Sequence, residues 1–191
     1  MNLSKIQQSV LIGTILGDGY LGMNGNNCRL QIKHSLQQKE YVNWLYKIFS
    51  NFVLTEPKKT ELNGFRFWTI NHPTFTWYHT LFYPNGRTKV IPNTVKELLK
   101  DPLSLAVWYM DDGKRRPDCR GSFLDTICFP VQQQLVLIDC LESNFGLRNL
   151  RLHWNGDGYH IYIPAENADR FCNVISKYLV PSMYYKLPLA P

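Results

Sequence analysis

The sequence predicts an α+β fold made of two pseudo-symmetric halves, each an antiparallel sheet covered by helices. Three observations carry that prediction. Two apolar segments close on Asp-Gly, Leu11-Ile12-Gly13-Thr14-Ile15-Leu16-Gly17-Asp18-Gly19 and Leu105-Ala106-Val107-Trp108-Tyr109-Met110-Asp111-Asp112-Gly113. An offset near 94 residues recurs along the chain. Helical and strand periodicities then follow each motif in the same order.

The offset is 94 between Asp18 and Asp112, and 95 between Gln37-Gln38 and Gln132-Gln133. It is 92 between the Asn63-Gly64 and Asn155-Gly156 turns, and 97 between Pro84-x4-Lys89 and Pro181-x4-Lys186. Four features in one order and near-constant register mark two homologous halves, 1–99 and 100–191.

Ser4-x-x-Gln7 is a capping box that opens the first motif helix. Arg29-Leu30-Gln31-Ile32-Lys33 alternates polar and apolar residues, a strand with one polar face. Ser35 is expected to cap a helix carrying Tyr41, Val42, Leu45, Ile48 and Phe49. A hairpin turning at Asn63-Gly64 follows, then a helix from about Pro73 to Phe82. Thr94-x-x-Glu97 is expected to cap a short helix near 94–99. In the second half, Asp101-Pro102 supplies an N-cap and a proline at the first helical position. A helix from about Val131 to Phe145 stops at Gly146, the strands around Asn155-Gly156 make the hairpin, and a last helix spans about Ala165 to Leu179.

The formal charge is +6, which suits an anionic partner such as nucleic acid, and the hydrophobic content of 45% excludes a disordered tail. The five cysteines are odd in number and form no C-x-x-C pair, so neither a zinc ribbon nor a redox motif is indicated. No leader and no membrane-length apolar run is visible. The expected location is intracellular: mitochondrion or plastid if organelle-encoded, otherwise bacterial or archaeal cytoplasm. The five tryptophans are assigned to the core by default.

An aspartate at a helix C-terminus faces the negative end of the macrodipole, at a cost of roughly 0.3–1 kcal/mol. The same arrangement twice points to two carboxylates placed to hold something positive. With its lysine segments, Lys89-Val90-Ile91-Pro92 and Met183-Tyr184-Tyr185-Lys186-Leu187-Pro188, the pattern resembles the LAGLIDADG homing endonucleases. The resemblance is to the monomeric, two-motif branch of omega-type intron endonucleases, and it covers nearly the whole chain. It implies a saddle of two sheets along a long asymmetric DNA site. Gly13 and Ala106 match the small positions at which the motif helices pack. Val107, Thr14 and Trp108 depart from that pattern, and the residues before the acids differ, Gly17 against Asp111.

The resemblance further implies a magnesium-dependent, sequence-specific endonuclease that cuts both DNA strands across the minor groove and leaves 3′ overhangs. Mn²⁺ is expected to substitute for Mg²⁺, and Ca²⁺ to support binding without cleavage. Hard divalent cations suit phosphodiester hydrolysis and take oxygen ligands. Asp18 and Asp112 are the expected metal acids. The Gly17 and Asp111 carbonyls, left free at the helix ends, are expected to complete the shell. Lys89 and Lys186 would stabilise charge developing on the phosphate. Gln31 and Asp125, 94 apart, are either water-organising residues or strand residues facing DNA or solvent.

The expected DNA contacts are Arg29, Gln31, Lys33, Lys58, Lys59, Arg66, Arg120, Arg148, Arg151 and His153 on polar strand faces, with Lys114-Arg115-Arg116 just after the second motif. A two-stranded ribbon fits the major groove, where Arg and Gln read base edges. The partner is double-stranded DNA, the state a monomer, and no membrane is involved. Two rivals share the fold: a maturase whose partner is intron RNA, and a non-catalytic DNA-binding regulator. The joint presence of two acids and two lysines favours the nuclease.

Overall fold

The computed structural model describes residues 2–188. The first half contains α1 (Lys5–Leu16), β1 (Tyr20–Asn24), β2 (Asn27–Ser35), α2 (Lys39–Ile48), β3 (Lys58–Lys59), β4 (Gly64–Trp68) and α3 (Pro73–Phe82). A single turn, α4 (Val95–Leu98), leads to α5 (Pro102–Asp112). The second half continues with β5 (Gly113–Arg115), β6 (Ser122–Leu124), α6 (Val131–Phe145), β7 (Arg151–Trp154), β8 (Tyr159–Ile163) and α7 (Ala168–Ile175). A 3-10 segment, Pro181–Lys186, closes the described chain. The two antiparallel sheets have matching strand orders, β1-β2-β4-β3 and β5-β6-β8-β7. Among the described residues no helix is long and apolar enough to cross a membrane.

The motif helices form the centre of the core. Residues 9–16 of α1 and 103–111 of α5 are all buried, so neither helix has a solvent face. Such all-round burial is the mark of an interior helix. Glycine makes their approach possible. A Cβ on Gly13 would lie 2.4 Å from the Ser104 carbonyl and 2.7 Å from the Val107 Cβ, and one on Gly17 would lie 2.5 Å from the Asp111 Cβ. Gly13 and Val107 occupy the same motif position, as do Gly17 and Asp111. Equivalent positions facing one another are what a two-fold relation requires. The branched Val107 therefore fits because its counterpart has no side chain. Thr14 and Trp108, the other atypical pair, are fully buried, and Thr14 Oγ1 and Trp108 Nε1 find no hydrogen-bond partner among the described residues.

The predicted capping box is present: Gln7 N–H donates to Ser4 Oγ, and Ser4 N–H to Gln7 Oε1. Asp101 caps α5 through Leu103 N–H and also accepts from the Ser9 hydroxyl, tying α5 to α1. Two other caps differ from expectation. Ser35 precedes a 3-10 turn and makes no side-chain cap, so α2 begins four residues later. Thr94 likewise makes none over the single turn of α4. The last predicted helix is helical only over 168–175, with 3-10 turns on either side.

The tryptophans also divide. Trp108 is fully buried and Trp44 partly so, but Trp68, Trp77 and Trp154 are exposed. Trp68 shares the exposed side of β4 with Arg66, between the buried Phe65 and Phe67. On β2 the same alternation buries Leu30, Ile32 and His34 and turns Arg29, Gln31 and Lys33 outward.

Gly13→Ala is expected to lower stability by about 1–3 kcal/mol through overpacking. Thermal unfolding of the metal-free protein would read this as a lower melting temperature without loss of secondary structure in the folded state.

Candidate functional site

The paired helices end at the acids, but not identically. α5 runs through Asp112 and passes directly into β5 at Gly113, whereas α1 stops at Leu16 and Asp18 lies in the turn beyond it. The Asp18 side chain is 51% exposed, and the Asp111 side chain is fully buried. Asp18, Asp111 and Asp112 line one cleft with Lys114, Asp125, His153 and His160 from the second sheet.

Both lysines reach this point from distant segments. Lys89 Nζ donates to the Gly17 carbonyl at 2.8 Å, and Lys186 Nζ to the Met110 and Asp111 carbonyls. The carbonyls of Gly17 and Asp111 are thus not free, as they were expected to be. An ammonium is a strong donor at the negative end of a helix dipole, so each lysine caps the motif helix of its own half. Lys89, which precedes α5, caps α1, and Lys186 caps α5. Burial lowers the pKa of both lysines, and the surrounding carboxylates oppose that shift.

Asp111 is the structural surprise. Its Oδ1 accepts from the Tyr41 hydroxyl at 2.7 Å, and its Oδ2 from the Asp18 backbone N–H at 3.2 Å. His34 stands between the acids, Nδ1 at 3.5 Å from Asp18 and Nε2 at 3.7 Å from Asp111. Ligand atoms of Asp18, His34 and Asp111 all lie within 4.8 Å of one another, close enough for one cation. Burial, then the Asp18 charge, pushes the Asp111 carboxyl well above the usual range, while the Tyr41 bond pulls it back. Burial and the Asp18 charge raise Asp112 to about 7, against Lys89. Burial lowers His34, with Asp18 opposing.

The sequence reading missed Tyr41 and His34 as site residues, and treated Asp111 only as a carbonyl donor. The signals were a tyrosine on an otherwise apolar helix face and a histidine on the buried alternation of β2. Conversely, Gln31 is not gathered into the acidic cluster. It pairs with Tyr20, two residues past Asp18, and lies over Gly22 on the outer face. Asp125 pairs instead with Asp112, donating its N–H to the Asp112 carbonyl. The two-residue difference arises because α1 unwinds before its acid and α5 does not. Asp125 also lies 3.3 Å from His160 Nδ1.

Arg29, Lys33, Lys58 and Arg66 fall on the outward face of the first sheet, with Lys59 next to them on the edge strand, and Lys114, Arg151 and His153 on that of the second. Arg115 is exposed on the edge strand β5. Two residues predicted on strand faces sit in loops. Arg120 precedes β6 and pairs with Asp169 of α7, and Arg148 lies between α6 and β7 beside Asn167. Arg116 follows β5 and is paired with Asp118.

A model of the LAGLIDADG DNA endonuclease family matches residues 8–171. The chain belongs to that family. It is 30% identical over 198 residues to the probable intron-encoded endonuclease 1 of Wickerhamomyces canadensis, covering 97% of this chain and 85% of that protein. It is 28% identical to the cytochrome b mRNA maturase bI2 of Debaryomyces hansenii, covering 97% of this chain and 74% of that one. The solved structure of the homing endonuclease I-WcaI bound to its DNA recognition sequence superposes with a TM-score of 0.89 at 30% identity, over 100% of this chain and 89% of that one. As a LAGLIDADG protein, the chain has the α+β architecture of two four-stranded antiparallel sheets that the duplication predicted.

In this LAGLIDADG site burial and the Asp18 charge push the Asp112 carboxyl up to about 7 in the folded state, above its unfolded value, so its contribution to stability falls as pH rises from about 4 to about 7. Asp112→Asn is expected to raise the melting temperature of chelator-treated protein at pH 8, with the gain shrinking towards pH 4. Calorimetry across that range checks it.

Proposed function

We propose that this chain is a sequence-specific, double-strand DNA homing endonuclease, intron-encoded and monomeric, in which residues 1–99 and 100–191 each serve one half of an asymmetric site. The observation that carries the reading is the convergence of Asp18 and Asp112 in a cleft lined by the basic Lys114, Arg115 and Arg116, with Lys89 and Lys186 on the carbonyls at the ends of the motif helices.

The donor set fits a hard divalent cation. Asp18, Asp111 and Asp112 share the cleft, with the buried His34 and two carbonyl-bound lysines beside them, and oxygen-rich sets of this kind suit Mg²⁺, Mn²⁺ or Ca²⁺. Asp18 and Asp112 would hold it, and Mg²⁺ is the proposed ion. When bound, such a cation supplies positive charge at the attacked phosphate and lowers the pKa of a water. The Gly17 and Asp111 carbonyls could contribute through their second lone pair, the first being taken by lysine. Lys89 donates one bond to protein and Lys186 two, so each ammonium keeps an N–H for a phosphate oxygen. Asp125, adjoining Asp112, is the better placed of the two predicted water-organising residues. Gln31 is better placed to face a groove.

The fit of Asp111 against Gly17 makes the two acids unequal, since the Asp18 N–H is held by the Asp111 carboxylate in a turn, whereas Asp112 lies within α5 and its carbonyl accepts from Asp125. The two DNA strands should therefore be cut at different rates. The resemblance to a maturase keeps intron RNA as a second reading. Binding to duplex DNA against structured intron RNA, followed across salt concentration, separates the two.

The decisive experiment is selection of cleaved products from a large randomised duplex library with Mg²⁺, then Ca²⁺. One long sequence cut on both strands by wild type with Mg²⁺ only is the expected result. Asp18→Asn or Asp112→Asn should abolish double-strand cleavage and leave binding largely intact. Full cutting by either variant would sink the assignment. On a supercoiled target, a nicked intermediate should accumulate, and equal nicking rates for the strands would refute the inequality.

A further inference from the structure

Each sheet carries on its outward face one aromatic ring with two arginines against it. On the first sheet the ring is Trp68, and the guanidinium carbons of Arg29 and Arg66 lie 5.3 and 5.0 Å from its centroid. On the second it is Tyr162, with Arg116 and Arg151 at 5.7 and 5.2 Å. Strand register makes both clusters. Arg66 and Trp68 alternate on β4, and Gln31, two residues from Arg29 on β2, sits opposite Trp68. Tyr162 faces Arg151 directly across the β7–β8 ladder.

The four guanidinium groups differ in what their N–H edges meet. Asp118 occupies the fork of Arg116, accepting from both Nε and Nη2. Among the described residues, no carboxylate or carbonyl engages Arg29, Arg66 or Arg151, and the Arg29 Nε is buried without an acceptor. An arginine held by its face on a ring gives up rotamer freedom before any ligand arrives, while its planar edge stays available. That edge matches the O6 and N7 acceptors of guanine in the major groove. Phosphate contact requires no such fixed plane, and Lys33, Lys58 and Lys59 stand nearby to supply it.

We propose that Trp68 is a stacking platform that pre-sets Arg29 and Arg66 as guanine-reading forks in one half of the DNA site. Arg151 does the same on Tyr162 in the other half, and Arg116 is silent there because Asp118 fills its fork. The inference rests on the DNA-cleaving reading above and adds to it the bases that are read.

The test is selection of bound duplexes from a randomised library by the full chain in Ca²⁺ at fixed salt. The variants are Arg29→Lys, Arg66→Lys, Trp68→Leu and Asp118→Asn. Wild type should select two neighbouring guanines in one half-site and one guanine in the other. Each lysine variant should lose its own guanine, about ten-fold in enrichment, with the remaining positions and the salt dependence kept. Trp68→Leu should weaken both guanines together. Asp118→Asn should add a guanine preference in the other half. Arg66 and Asp118 are surface side chains, so these two variants keep the test valid if the others fold poorly. Lysine variants that keep every base preference, or that lose affinity evenly at all positions, would overturn the proposal. Wild type selecting no duplex at all would overturn the endonuclease reading, and this proposal with it.

Discussion

α1 and α5 meet along glycine. Gly13 receives Val107 and Ser104, and Gly17 receives Asp111, at separations no Cβ would tolerate. That contact sets the position of everything that follows each helix. Both acids emerge at the same end of the pair, and each first strand leaves from there, so the two sheets are placed by one packing event. Interiors packed at this density transmit displacement rather than absorb it. A shift of one helix would move an acid, a lysine-capped carbonyl and a whole sheet together.

The same end of the helix pair gathers charge that folding alone would not choose. Asp18, Asp111 and Asp112 crowd together at the negative ends of two dipoles, with burial raising the pKa of the latter two. Lys89 and Lys186 spend hydrogen bonds on helix carbonyls there and lose pKa to burial as well. Burial disfavours the charged form of Asp111, Asp112 and both lysines, and the cluster persists because the glycine contact and the surrounding core hold it. Such pre-organised tension is common where a site awaits a charged ligand.

The duplication was legible because Asp-Gly, Asn-Gly and Pro-x4-Lys recur at near-constant spacing, and a repeated order survives small loop changes. The motif caps at Ser4 and Asp101 were legible because they depend on four residues of local sequence. Ser35 and Thr94 carry the same local signals yet make no cap, since the chain takes a 3-10 turn at one and only a single helical turn at the other. The acids and lysines were found through their pattern. His34, Tyr41 and the Asp111 carboxylate were not, because their meeting depends on the crossing of two halves that no single segment records. Spacing left the role of Gln31 open. Its 94-residue offset from Asp125 is real, but α1 unwinds before Asp18 and the strand register slips by two. Trp68 and Trp154 were assigned inward by composition; strand alternation alone turns Trp68 out, whereas Trp154 lies on the Leu152 side of β7 and is exposed where the hairpin runs to its turn.

The facing pair Gly17 and Asp111 has a consequence for how such a molecule can arise. In a symmetric dimer of identical chains both positions would carry one residue. Aspartate on each side would bury two like charges against each other, without room for either Cβ. Glycine on each side would strip Tyr41 and the Asp18 amide of their acceptor. The mixed pair is closed to such a homodimer and open to a polypeptide that holds both copies in one gene, where each copy can mutate alone. Fusion here did more than tether two subunits: it made an unequal seam attainable, and with it a centre whose two sides are free to diverge.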